Sequence, residues 1–130
     1  MLSQEIRIKD LDLGFLEERL IDLKGWSEDE AQESVRRYKN FLILLTRFPR
    51  AVLAPAADID DAWHEHILHT VEYTRDSLHI FGEYLHHAPA RKSRPEEKAL
   101  MKEALALTSI LYQKEFGEPY ILELDISTFW

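Results

Sequence analysis

The chain has 130 residues, 45% of them hydrophobic, which is enough for one compact core, and we expect residues 1–130 to form a single domain. Its formal net charge of −8 disfavours nucleic acids and anionic membranes as partners, because both attract positively charged surfaces. No segment has the pattern of a secretory leader or of a membrane span, and we therefore expect a cytoplasmic protein.

The first half of the chain contains patterns for one extended segment and two helices. Residues 5–9 alternate polar with β-branched side chains, which is the period of a strand. Apolar residues within 15–23 recur at helical spacing and predict a short helix. Ser27 and Glu30 form a capping-box pattern, which predicts that a second, longer helix begins there and continues to Pro49.

The second half contains patterns for a connection, a long helix, a loop and a final helix. Residues 49–57 contain two prolines and predict an ordered connection. The next helix should begin with Asp58 as its N-cap and end at Pro89. The basic, proline-containing residues 88–95 predict a surface loop, and the apolar spacing within 95–116 predicts the last helix.

The two ends of the chain carry complementary patterns. Residues 122–126 alternate apolar with acidic side chains, whereas residues 5–9 alternate apolar with mainly basic ones. The terminal segments are therefore candidates for a short two-stranded ribbon, formed within the chain or across a homodimer and anchored by Phe129 and Trp130. The predicted fold class is all-α: a compact bundle of four to five helices, with the terminal ribbon as an additional option.

All six histidines lie between His64 and His87. Asp60 and His64 are four residues apart, so a helix brings their carboxylate and imidazole side by side. We expect His87, near the end of the same stretch, to join this pair in one site. In an unbroken helix His64 and His87 would be roughly 35 Å apart, and a shared site therefore requires a turn, which we expect within 74–77 or at Gly82.

The same stretch carries a longer pattern of spaced polar and aromatic residues, D-x-D-x-x-W-H-x-H, then Y-x-x-D, F-G and H-x-P. Its members are Asp58, Asp60, Trp63, His64, His66, Tyr73, Asp76, Phe81, Gly82, His87 and Pro89. These residues resemble the signature of the glycine-rich-domain-containing-protein-like family, in which Cys stands at the position of Ser77, and the chain looks like a small bacterial member. The resemblance implies that the positions form a site, and it implies no particular reaction.

The candidate site has the residue types of a metal centre. Because the chain contains no cysteine, thiolate ligands are excluded, and any metal site must combine His with Asp or Glu. We expect Asp60, His64 and His87 to be the main ligands of a divalent metal ion, zinc before others, with His66 as a secondary ligand.

Two interpretations of this site remain open from the sequence. In the first, the residues form a structural metal site or a polar network in an accessory domain that binds a peptide or protein partner. In the alternative, the domain is a metal-dependent hydrolase in which the ion activates water, with Glu65 or Asp76 as the general base. The number of protein ligands distinguishes them, since catalytic zinc keeps one coordination position open.

Overall fold

The computed structural model of the chain describes residues 3–88 and 94–122, which form six α-helices and no strand. The helices are α1 (Gln4–Lys9), α2 (Gly14–Lys24), α3 (Glu28–Arg47), α4 (Ala57–Leu68), α5 (Thr70–Phe81) and α6 (Pro95–Phe116). The prediction of an all-α bundle is confirmed. The number of helices exceeds the predicted range because α1 was expected to be extended and because α4 and α5 were expected to be one helix.

The central helix of the bundle is α3, which packs against α1, α2, α4 and α6. It begins with the predicted capping box: the Ser27 hydroxyl accepts the Glu30 N–H, and the Glu30 carboxylate accepts the Ser27 N–H. The apolar face of α3 supplies much of the core, with buried Tyr38, Phe41, Leu42, Ile43 and Leu44. The helix predicted from Ser27 to Pro49 is thus confirmed within a few residues.

The N-terminal segment is a helix, and the predicted strand at residues 5–9 is wrong. The Ser3 hydroxyl accepts the Ile6 N–H at 3.2 Å and caps α1. Ile8 is fully buried against the core whereas Ile6 is 44% exposed, so the apparent alternation does not describe one apolar face. A ribbon that uses this segment as a strand is therefore excluded. Residues 123–130, with Phe129 and Trp130, lie outside the described part of the chain, and a homodimer through the chain ends stays a prediction.

The stretch predicted as one helix from Asp58 to Pro89 is two helices followed by an irregular segment. The helical backbone is interrupted at His69 (φ −85°, ψ 73°), and α5 ends at Gly82, whose φ of 75° is a left-handed conformation that favours glycine. The turn expected at Gly82 is confirmed, while residues 74–77 lie inside α5. A continuous helix would place Val71 on the same apolar face as Trp63 and Ile67, and after the interruption it is 74% exposed.

A further correction concerns Asp58, which does not cap α4. Ala56 occupies the N-cap position without a side-chain hydrogen bond. Asp58 instead accepts two hydrogen bonds from Arg37 of α3, at 2.7 Å and 3.2 Å. The guanidinium of Arg37, which is 1% exposed, also donates to the carbonyls of Pro119 and Tyr120. Arg37 thereby joins the beginning of α4 to the segment that follows α6.

The connection and the last helix agree with their predictions. The backbone of Ala54 bonds to the Thr108 and Tyr120 hydroxyls, which holds the connection against α6, and Pro95 opens that helix. Residues 89–93 are outside the described ranges, and so are the helix end expected at Pro89 and most of the predicted 88–95 loop. Among the described helices, none is both long and apolar enough to cross a membrane.

Candidate metal centre

The helix α4 presents Asp60 and His64 on adjacent turns. Residues four apart lie on the same face of a helix, so the carboxylate and the imidazole are neighbours by construction. The Asp60 side chain is 40% exposed, and His64 is an exposed residue. The predicted pairing of these two residues on one helix face therefore corresponds to a solvent-accessible position rather than to the core.

His87 reaches this pair from the irregular segment that follows α5. Its Nε2–H donates to Oδ1 of Asp60 at 2.8 Å, and its ring lies 5.4 Å from the ring of His64. The His87 ring also stacks on the ring of Trp63, with centroids 4.1 Å apart and an interplanar angle of 20°. As a result the His87 side chain is only 8% exposed.

These contacts bring together three of the four residues that the sequence assigned as metal ligands. Ligand atoms of Asp60, His64 and His87 all lie within 4.8 Å of one another. Ligands about 2.0–2.1 Å from a tetrahedral zinc ion are separated by about 3.3 Å, so modest side-chain shifts suffice for all three to reach one ion. Two imidazoles and a carboxylate leave a fourth position, which would lie on the exposed side of the cluster.

The fourth candidate, His66, is in a different network. It is 2% exposed, the Tyr38 hydroxyl donates to its Nδ1 at 2.8 Å, and its Nε2–H donates to Asp76 at 2.9 Å. Burial lowers the pKa of His66, and its hydrogen bond to Asp76 partly opposes that effect. Both ring nitrogens are occupied by protein partners, so the geometry does not support the expected secondary role of His66 as a ligand.

The two general-base candidates also have other partners. Glu65 is buried and accepts a hydrogen bond from Arg19 at 3.2 Å. Asp76 is buried as well and bonds to His66 and, at 3.2 Å, to Arg75. Neither carboxylate belongs to the three-residue cluster. Glu65 pairs with Arg19 of α2, and Asp76 bonds to His66 of α4. Packing between helices therefore accounts for the positions of both carboxylates.

Tyr73 belongs to the sequence pattern, but the pattern did not reveal its role. Its hydroxyl contacts two residues that position His87. The Tyr73 hydroxyl accepts the indole N–H of Trp63 at 2.8 Å and donates to the carbonyl of Leu85. Trp63 is the residue on which His87 stacks, and Leu85 lies two positions before His87 in the chain. The spacing of aromatic residues in the pattern was the available signal for this contact.

Comparison with known proteins places the chain in a family whose description assigns no activity. A family model described as UCP032817-like matches residues 8–108, and neither the curated proteins nor the solved structures gave a significant match. The resemblance to the glycine-rich-domain-containing-protein-like family was wrong, because the matching model is a different one and nothing else indicates that family. Residues of the D-x-D-x-x-W-H-x-H pattern have packing roles, such as Asp58 with Arg37 and His66 with Asp76. Such roles do not specify that family.

Proposed function

We propose that this chain, which belongs to the UCP032817-like family, binds one divalent transition-metal ion between Asp60, His64 and His87, and that zinc suits this site best. The observation that carries the proposal is the convergence of three ligand atoms from two separate segments within 4.8 Å. A bound ion would tie the segment around His87 to α4. The role that follows is that of an accessory domain whose metal site is completed by a partner.

The donor types favour zinc over the hard cations. Magnesium and calcium prefer oxygen ligands, whereas two imidazole nitrogens and one carboxylate oxygen suit zinc and other late transition metals. The hydrogen bond between His87 and Asp60 orients the two side chains toward each other. Metal binding would put the ion in place of the Nε2 proton, which would move to Nδ1 of the neutral imidazole, and would separate the two ligand atoms by about 0.5 Å more than the hydrogen bond does.

The incomplete ligand set supports a partner-binding role. Structural zinc sites usually have four protein ligands, and within residues 3–88 and 94–122 this cluster offers three. Since His64 is exposed, a carboxylate or imidazole of a peptide or protein partner could take the fourth position without rearrangement of the bundle. We therefore propose a partner that carries such a side chain, and water in its absence.

A metal-dependent hydrolase is the second candidate, and the same open position favours it. Such an enzyme needs a base near the metal-bound water, and Glu65 and Asp76 are engaged with Arg19 and His66 instead. The hydrolase hypothesis is tested with zinc-loaded protein on chromogenic carboxylic and phosphoric esters. Turnover that disappears in His64→Ala would favour it over the accessory role.

The proposal itself is tested by calorimetric titration of chelator-treated protein with zinc. We expect one ion per chain, and affinity reduced at least about 100-fold in His87→Ala, because two ligands remain. His86→Ala is the matched control, since it removes an exposed neighbouring imidazole and should bind as the unaltered chain does. Absence of binding by the unaltered chain, or equal losses in the two variants, would refute the proposed site.

A further inference from the structure

The Tyr73 hydroxyl is one of the points at which the irregular segment after α5 is linked to α4. Tyr73 is 1% exposed, and its single oxygen bonds both the indole N–H of Trp63 and the backbone carbonyl of Leu85. Its ring also makes an edge contact with Tyr84 at 5.2 Å. One side chain therefore contacts the segment that delivers His87 and the aromatic surface on which His87 lies.

We propose that Tyr73 is a positioning residue of the metal site, which holds His87 in place for metal binding without touching the ion. This inference rests on the proposed function. His87 is outside the helices, so the regular hydrogen bonds of a helix do not fix its backbone. The bond from Tyr73 to Leu85 supplies an anchor two residues away, and the bond from Trp63 fixes the ring beneath the imidazole.

The protonation of Tyr73 is consistent with this role. Burial raises the pKa of Tyr73 to about 12, although hydrogen bonds from Trp63 and Ser77 oppose the shift. The phenol is therefore protonated at neutral pH and can donate to the Leu85 carbonyl while it accepts from Trp63. Phenylalanine at this position would keep the ring and lose both hydrogen bonds.

Tyr38 provides a matched control for a purely structural effect. It is fully buried, its ring lies 6.5 Å from that of Trp63, and its hydroxyl bonds His66 rather than the segment around His87. Removal of either hydroxyl leaves buried partners unsatisfied, so Tyr73→Phe and Tyr38→Phe should both lower the melting temperature. A difference between them at the metal site would separate positioning from general stability.

The first test is the zinc dissociation constant of the full chain, measured by competition with a chromogenic chelator. We expect Tyr73→Phe to bind about tenfold more weakly, as for residues that orient ligands, and Tyr38→Phe to bind like the unaltered chain. Trp63→Phe is a second variant, because it removes one of the two hydrogen bonds and keeps a ring beneath His87. It should weaken binding by about threefold.

The second test needs no metal and uses the rate at which diethylpyrocarbonate modifies His87, read by mass spectrometry relative to exposed His86. The rate ratio should rise in Tyr73→Phe and Trp63→Phe and stay unchanged in Tyr38→Phe.

If the unaltered chain binds zinc and Tyr73→Phe binds equally well with His87 still protected, the inference is overturned. If the unaltered chain binds no zinc, the proposed function fails, whereas the modification rates still decide whether Tyr73 positions His87. If Tyr73→Phe does not fold, unchanged protection of His87 in Trp63→Phe overturns the inference.

Discussion

Nε2 of His87 and Oδ1 of Asp60 lie 2.8 Å apart, although 27 residues separate them in the sequence. Their proximity depends on the break at His69 and on the reversal at Gly82, which together return the chain from the end of α5 to the beginning of α4. A metal ion at this contact would close a loop of the chain. Metal binding and the stability of this part of the fold should therefore be coupled.

Zinc should raise the melting temperature of the chelator-treated chain. At a free concentration 100 times the dissociation constant, a ligand specific for the folded state adds about 2.7 kcal/mol to the free energy of unfolding. For a chain of this size, that corresponds to a shift on the order of 10 °C. Scanning calorimetry measures it, and Asp60→Asn should abolish most of the shift. An equal shift in Asp60→Asn would mean that zinc binds elsewhere.

His64→Ala should weaken zinc binding and leave the metal-free fold almost unchanged. His64 is exposed on α4, and exposed substitutions usually alter the free energy of unfolding by less than about 0.5 kcal/mol. His79→Ala, on the exposed face of α5, is the control and should retain zinc affinity. Urea denaturation and zinc titration of both variants check the expectation. Strong destabilisation of metal-free His64→Ala would show that this imidazole has a packing role instead.

Arg37→Met should be strongly destabilising. The substitution would leave the Asp58 carboxylate without its buried partner and two backbone carbonyls without a donor, and breaking such a pair costs about 3–5 kcal/mol. Arg36→Met is the matched control, since the Arg36 side chain is 47% exposed and its ion pairs should contribute less than about 1 kcal/mol. Similar urea midpoints for the two variants would show that Arg37 does not stabilise the junction between α4 and the segment after α6.

Glu118→Gln should reduce the loss of stability in acid. The hydrogen bond from Arg36 lowers the pKa of Glu118 below its ordinary value of 4.5, and burial opposes this. A carboxyl with a lower pKa in the folded state stabilises the fold above about pH 4.5, and that contribution is lost as the pH falls through the folded-state value. Denaturation at pH 7 and pH 3.5 should therefore differ less in Glu118→Gln than in the exposed-site control Glu103→Gln. Identical pH dependence in the two variants would show that the Arg36–Glu118 ion pair does not cause the loss of stability in acid.

Local patterns in the sequence were sufficient for the features that depend on neighbouring residues. The capping box at Ser27 and the Asp60–His64 pair both follow from spacing within one helix. The break at His69 is accompanied by one local and one long-range contact: its Nδ1–H donates to the carbonyl of Glu65, four residues earlier, and its ring packs on Phe15 of α2 at 4.8 Å. Without a Pro or Gly at that point, periodicity alone could not locate it.

His87 lies beside Asp60 and His64 for a reason that the sequence did not contain. The prediction treated the stretch from Asp58 to Pro89 as one helix, whereas His87 reaches Asp60 through the reversal at Gly82. Similarly, Asp58 has the residue type of an N-cap, but the buried charge of Arg37 provides a stronger interaction than the helix end does. Pairings across the bundle are set by tertiary packing, which a local pattern does not encode.

The central claim is that one divalent ion binds among Asp60, His64 and His87, and anomalous scattering tests it most directly. Crystals grown with zinc would be measured above and below the zinc absorption edge. We expect one anomalous peak about 2.0–2.1 Å from the imidazole nitrogens of His64 and His87 and from a carboxylate oxygen of Asp60. A map without a peak there, in which His87 still donates to Asp60 at 2.8 Å, would contradict the metal site and identify the contact as a hydrogen-bonded pair.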